Sequence, residues 1–253
     1  MILGAHLPDS GSMFAQDVLR MSRMVKILLG ISAAVVLLLG SLLLFRVRYE
    51  MFRAVPGSMA PGIDAKDLLL VDRWTYGYHA FHAERAQSVG RAPRLGEVVI
   101  LHKPNADRHL DSITRVVAIA GDTIELDTDG SLIVNGQPLP RCKLGASHDA
   151  EQTPLDLFLE TQDGHTHVIA QLPDEGRRHD FTLQTVPEDS VFVLGDSRDN
   201  AVDSRVFGPV PLDHLMGRVV WVNAVGRIGS DPERPIIPVA MSAALARCTE
   251  AKR

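Results

Sequence analysis

From Ile27 to Phe45 the chain runs nineteen residues without a charge, and thirteen of them are Leu, Ile, Val or Phe. At about 1.5 Å of rise per residue a helix of that length is roughly 28 Å long, close to the thickness of a bilayer's hydrocarbon core. Each strongly apolar residue adds about −0.3 to −0.6 kcal/mol to insertion, so the run as a whole favours the membrane. The reading is a transmembrane anchor over residues 25–46, preceded by an N-terminal tail over 1–24 in which Met13, Met21 and Met24 offer alternative starts. A cleaved signal peptide is the rival, since basic residues precede the run. The apolar stretch exceeds a typical signal-peptide core, however, and Phe45-Arg-Val-Arg48 has no small-x-small cleavage site. Charge counting leaves orientation open: Arg20, Arg23 and Lys26 on one side are balanced by Arg46, Arg48 and Arg53 on the other.

The remaining chain is long enough for a sizeable core. Its 253 residues are 45% hydrophobic, and the formal charge of −5 excludes a nucleic-acid partner held on a broad basic face. Cys142 and Cys248 are too few and too far apart for a disulfide framework or a metal knuckle, and either pairing or free thiols fit. Ten histidines include His79-x-x-His82 and His165-x-His167, but no cysteine cluster or H-E-x-x-H accompanies them. They read as surface or loop histidines; no metal and no cofactor is expected.

Past the anchor the pattern changes to short apolar runs. Leu68–Val71, Val98–Leu101, Ile113–Ile119, Leu132–Val134, Val191–Leu194 and Val219–Val222 have the length and the Val/Ile content of strands. Asp127-Thr-Asp-Gly130 between two of them is a hairpin signal. No long helical period appears between residues 60 and 230, which predicts a mainly β, antiparallel domain over 47–232. Residues 143–190 are more polar and read as an insertion or flap. The tail over 233–253 holds a candidate short helix near Val239–Arg247 and reads as a solvated or membrane-touching end.

Val55-Pro-Gly-Ser-Met-Ala-Pro61 holds Ser58 on a stiff turn thirteen residues beyond the apolar run. By itself this is a loop. Three blocks together say more. Phe52–Pro61 with Lys66–Gly77, Ile113–Ile124, and Val186–Arg205 ending in Phe207-Gly-Pro-Val210 resemble, in order and spacing, the conserved segments of bacterial type I signal peptidases. The resemblance runs from the anchor to about Val225. It implies a membrane-anchored serine endopeptidase with a mostly β catalytic domain outside the cytoplasmic membrane and the N-terminus in the cytoplasm. It also implies secretory preproteins as substrates, cut after small-x-small sites. The short linker from Phe45 to Ser58 suits a substrate presented at the bilayer surface.

Enzymes of this family use a serine and a lysine whose burial lowers its pKa enough to take the serine's proton. The nucleophile position falls on Ser58. The lysine position falls on Thr114, which cannot accept a proton at neutral pH. A serine that helps orient the lysine corresponds to Ala201, and one that donates to the oxyanion corresponds to Pro56, which has neither hydroxyl nor N–H. The Ser58 N–H remains available for the oxyanion. Arg115, Asp196, Arg198, Asp199, Asp203 and Arg205 match family positions that brace the site. A calcium loop is the rival for this acidic run, but the alternating ligands and central glycine of an EF-hand are missing.

Two functions follow. One is a working signal peptidase with an unusual base, for which His109, His102 and Lys103 are the candidates; on a continuous strand His109 points away from the face of Thr114. The other is a pseudoprotease that binds secretory or envelope proteins without cutting them, because losing a general base costs about 10² to 10⁴ in rate. A self-cleaving repressor of the related Ser-Lys type is disfavoured by the anchor and the absence of a DNA-binding segment.

Overall fold

A computed structural model describes residues 23–54, 57–77, 90–104, 111–127, 130–148, 152–173, 183–224, 227–228, 230–238 and 241–250. Pro56, His79, His82 and His109 lie outside them. Residues 1–47 and 48–253 form separate compact units.

The first unit is built on α1 (Arg23–Arg48), which contains the uncharged run and buries none of its residues. By length and composition it is able to cross a membrane.

The second unit is mainly β. Its largest sheet is seven-stranded, in the order β1 (Tyr49–Arg53), β2 (Leu68–Asp72), β14 (Leu215–Val222), β3 (Val98–His102), β4 (Asp111–Ile119), β12 (Ser190–Leu194) and β13 (Val210–Pro211). All of these pairings are antiparallel. The central strands read as unbroken apolar runs because both faces of the sheet are covered. Val98 and Ile100 join Met59, Ile63, Leu69 and Val71 in one core. Val99 and Leu101 turn the other way, into a second core with Val116, Val193 and Leu215. Between β4 and β12 the register slips, with Phe192 opposite Ala118 and Val193 opposite Val116. That bulge lets Val117 and Ala118 both serve a third core beneath β5 (Thr123–Leu126) and β6 (Leu132–Val134). The two strands form the hairpin expected around Asp127 and Gly130.

Residues 141–171 form a separate antiparallel sheet of β8 (Arg141–His148), β9 (Pro154–Gln162) and β10 (His165–Gln171). The C-terminal segment covers it. Expected as a solvated or membrane-touching end, this segment instead sends Ile236 into the first core and Ile237, Ala244 and Cys248 into a fourth core with Leu144, Leu157, Leu159 and Val168. Its helix α3 (Ser242–Glu250) is tied to β8 by a disulfide between Cys142 and Cys248. The small sheet alone has one face of leucines to hide, and α3 hides it. A bridge closing a loop of this length removes on the order of 5 kcal/mol of chain entropy from the unfolded state in the loop-closure view.

Candidate active site

The Ser58 turn follows β1 and is anchored by its neighbour Met59, which is 2% exposed in the first core. The turn closes on itself through Ile63 N–H donating to Met59 O at 2.9 Å. Gly57 takes φ +116°, a conformation that favours glycine. The loop after β12 wraps the turn. Ser197 N–H donates to Ser58 O at 3.0 Å. Gly195 makes the approach possible, since a Cβ there would stand 2.5 Å from Ser58 O and 2.3 Å from the Ala201 Cβ.

The Ser58 hydroxyl donates to the carbonyl of Ile113 at 3.2 Å. Ser58 thus sits beside β4, where the pairing of β12 with that strand has ended at Leu194 opposite Arg115. The next residue is Thr114, fully buried and paired with Val99 across the sheet. Its Oγ1 has no hydrogen-bond partner among the described residues. Ile113 packs against the first core with Met59, so strand alternation turns Thr114 to the other face. An amide carbonyl and a threonine hydroxyl are both far too weak as bases to deprotonate a serine near neutral pH.

Of the other base candidates, His109 lies outside the described residues, and His102 and Lys103 stand at the far end of β3 from the partner of Thr114. His102 pairs with Asp111 in register, its Nδ1 2.7 Å from Asp111 Oδ1. That is three residues along the strand from Thr114, about 10 Å away. Lys103 lies one residue past the end of β3.

The expected bracing residues form two linked groups. Arg115 Nε and Nη2 donate to the two carboxylate oxygens of Asp196 at 2.8 and 2.7 Å, while Nη1 donates to the carbonyls of Gly96 and Pro232 at 2.8 and 2.9 Å. Asp203 accepts from Gly195 N–H at 3.0 Å and caps the short helix α2 (Ser204–Phe207). Arg205 bonds the same carboxylate and, through Nη2, the carbonyl of Arg198 at 2.6 Å. Asp199 accepts from Leu172 N–H at 2.7 Å.

Arg198 leads to two residues that pattern reading missed. Its guanidinium donates to both oxygens of Glu160 on β9. His167 on β10 pairs with Glu160 across the strands and brings Nε2 to 3.3 Å from the same carboxylate. His167 is 2% exposed, so the expectation of a surface histidine is corrected. Burial pushes the Glu160 carboxyl up, but Arg198 and His167 outweigh it and hold it well below the usual carboxylate range. Burial, with the charge of Arg115, pushes the His167 ring down, so it is held neutral. The backbone continues the link: Ala170 N–H donates to Asp196 O, and Arg198 N–H to Ala170 O, both at 2.9 Å. The small sheet therefore holds the loop that holds Ser58. No group of three or more His, Cys, Asp or Glu suited to a metal ion occurs among the described residues.

Comparison with known proteins gives a consistent result. A family model described as signal peptidase, peptidase S26, matches residues 24–223. A signal peptidase I of Pseudomonas fluorescens is 30% identical over 180 residues, covering 70% of this chain and 62% of the relative. One of Leptolyngbya laminosa is 28% identical over 191 residues, covering 71% and 73%. The chain thus spans less than two thirds of the length of the Pseudomonas relative. A solved signal peptidase I from Enterococcus faecalis V583 shares 26% identity with a TM-score of 0.32, covering 51% of this chain and 97% of that one. On the match of residues 24–223, the chain belongs to the signal peptidase family, peptidase S26.

Proposed function

We propose that this chain is a single-pass signal peptidase I-type protein that receives small-x-small segments of secretory preproteins at the outer surface of the bacterial cytoplasmic membrane, and that it cleaves them slowly or not at all. The observation that carries this reading is the state of Ser58. Its hydroxyl is spent on the Ile113 carbonyl, and the adjoining position of the missing lysine holds a buried threonine with an unpartnered hydroxyl. The disulfide supports an oxidising compartment for residues 48–253, and hence the extracytoplasmic side.

The second reading is a working serine endopeptidase. It is favoured by the completeness of the surroundings: Ser197 N–H holds the Ser58 carbonyl, and Arg115 and Asp196 are fully paired. A site abandoned long ago has little reason to keep these contacts.

The full-length chain in detergent, incubated with a peptide containing an A-x-A site beside a Ser58→Ala control, separates the two. Turnover abolished by Ser58→Ala and not raised by Thr114→Lys with Ala201→Ser establishes the working enzyme. The impaired reading expects slow or absent turnover and a gain of about 10² to 10⁴ when Thr114→Lys and Ala201→Ser restore the base and its partner. A folded double mutant with no gain removes the missing base as the explanation.

A further inference from the structure

A peptide carbonyl held in front of Ser58 needs hydrogen-bond donors on its oxygen, and the local sequence is short of them. Residue 56 is proline, without hydroxyl or N–H. The N–H of Ser58 makes no hydrogen bond among the described residues and is one available donor. A second stands beside it. A Cβ built on Gly57 lies 3.2 Å from Nδ2 of Asn200, so this side-chain amide packs directly against the residue before Ser58. Asn200 is exposed, and its side chain makes no hydrogen bond among the described residues.

The amide is held there by the same loop that grips the serine. Asn200 N–H donates to Ser197 O at 3.1 Å, and Ser197 N–H donates to Ser58 O at 3.0 Å. The loop thus engages Ser58 from its carbonyl side and reaches back along the turn to Gly57. An exposed NH₂ with no acceptor among the described residues, packed against the turn of a half-buried serine, is a donor available to a ligand oxygen. Gly57 is what lets it come so close, because any side chain at φ +116° would be both strained and crowded by Asn200.

We propose that Asn200 is the second hydrogen-bond donor, with the Ser58 N–H, to the carbonyl or carboxylate oxygen that a bound peptide presents to Ser58. It takes over the role that Pro56 cannot perform. The proposal rests on the peptide-binding part of the function proposed above and does not require cleavage.

Two peptides test it on the full-length chain in detergent. One ends at A-x-A with a free carboxylate, the product of cleavage, and the other is its C-terminal amide. Wild type binds the carboxylate more tightly than the amide. Asn200→Ala weakens carboxylate binding roughly tenfold, as expected for a lost charge-assisted hydrogen bond, and leaves the amide peptide within about twofold. Asn200→Asp weakens the carboxylate peptide further by like charge. Equal weakening of both peptides would make Asn200 a packing residue and overturn the proposal, as would no change in either. Failure of wild type to bind either peptide overturns the peptide-binding function itself, and this inference with it.

Discussion

Two buried polar regions flank the loop from Gly195 to Arg205, and they differ in whether they bury a charge. On one side Arg198, Glu160 and His167 form a cluster in which both carboxylate oxygens are engaged by the guanidinium. On the other, the Thr114 hydroxyl is fully buried without a partner. The difference is one of cost. An unpaired buried charge costs several kcal/mol, whereas an unsatisfied hydroxyl costs about 1–3 kcal/mol. The scaffold around the site cannot lose a charge and stay folded as well, but it tolerates an idle threonine. The base position is a local subtraction from a frame whose charges are paired, although Arg198 Nε and both ring nitrogens of His167 also lack a hydrogen-bond partner among the described residues.

The comparison breaks most visibly at Glu160. Glu160→Ala leaves Arg198 buried and unpaired, and should destabilise the unit of residues 48–253 by about 3–5 kcal/mol. For a unit of this size that is a fall in Tm of very roughly 6–20 °C, read by circular dichroism on the full chain. A fall no larger than that of Thr114→Ala would erase the distinction drawn between the two regions.

Much of the scaffold was legible beforehand. The runs at Val98–Leu101 and Val191–Leu194 are strands covered on both faces, and the Asp127–Gly130 signal does mark a hairpin. Glu160 and His167 were not legible. Leu155, Leu157 and Leu159 fall at every second position, with Asp156, Phe158 and Glu160 on the alternate face, which suggests a strand with one partly wet face. Glu160 is buried between His167 of the neighbouring strand and Arg198 of the loop after β12. Its partner Arg198 is 38 residues away and nothing local names it. The burial of the tail is hidden from the sequence for a similar reason: the leucine face that α3 covers belongs to strands about a hundred residues earlier, and the bond between Cys142 and Cys248 spans 106.

A smaller effect sharpens the same contrast through pH. His167 is held below its ordinary value of 6.5 by burial first and by Arg115 second, against the pull of Glu160 and Asp196. The folded state then binds fewer protons than the unfolded one below about pH 6.5, so stability is full above that pH and falls as the solution is acidified. Between pH 6.5 and 5 the loss is bounded by the limit for one titrating group, at most about 1.4 kcal/mol per pH unit. Glu160, also depressed, adds the same sign of effect below its ordinary 4.5. Urea midpoints taken at pH 7, 6 and 5 check this. His167→Gln should flatten the slope above pH 5, and an unchanged slope would place the titrating group elsewhere.

The smallest expected change falls on Thr114. Valine has nearly the same shape, so Thr114→Val removes the hydroxyl and leaves the packing against Val99 in place. With no partner lost, the desolvation penalty of the hydroxyl is relieved, and the unit should gain about 1 kcal/mol, or roughly 2–4 °C in Tm. Destabilisation would mean that Oγ1 is satisfied in solution, by an enclosed water for instance, and the idle-threonine half of the comparison would fail. The same variant also reads the chemistry. Any cleavage wild type performs should survive in Thr114→Val, because a threonine at this position neither takes the Ser58 proton nor touches its hydroxyl, which is already bonded to the Ile113 carbonyl. Loss of cleavage with a raised Tm would instead make the Thr114 hydroxyl a working part of the site, relaying a proton from Ser58 to an acceptor that enters with the substrate.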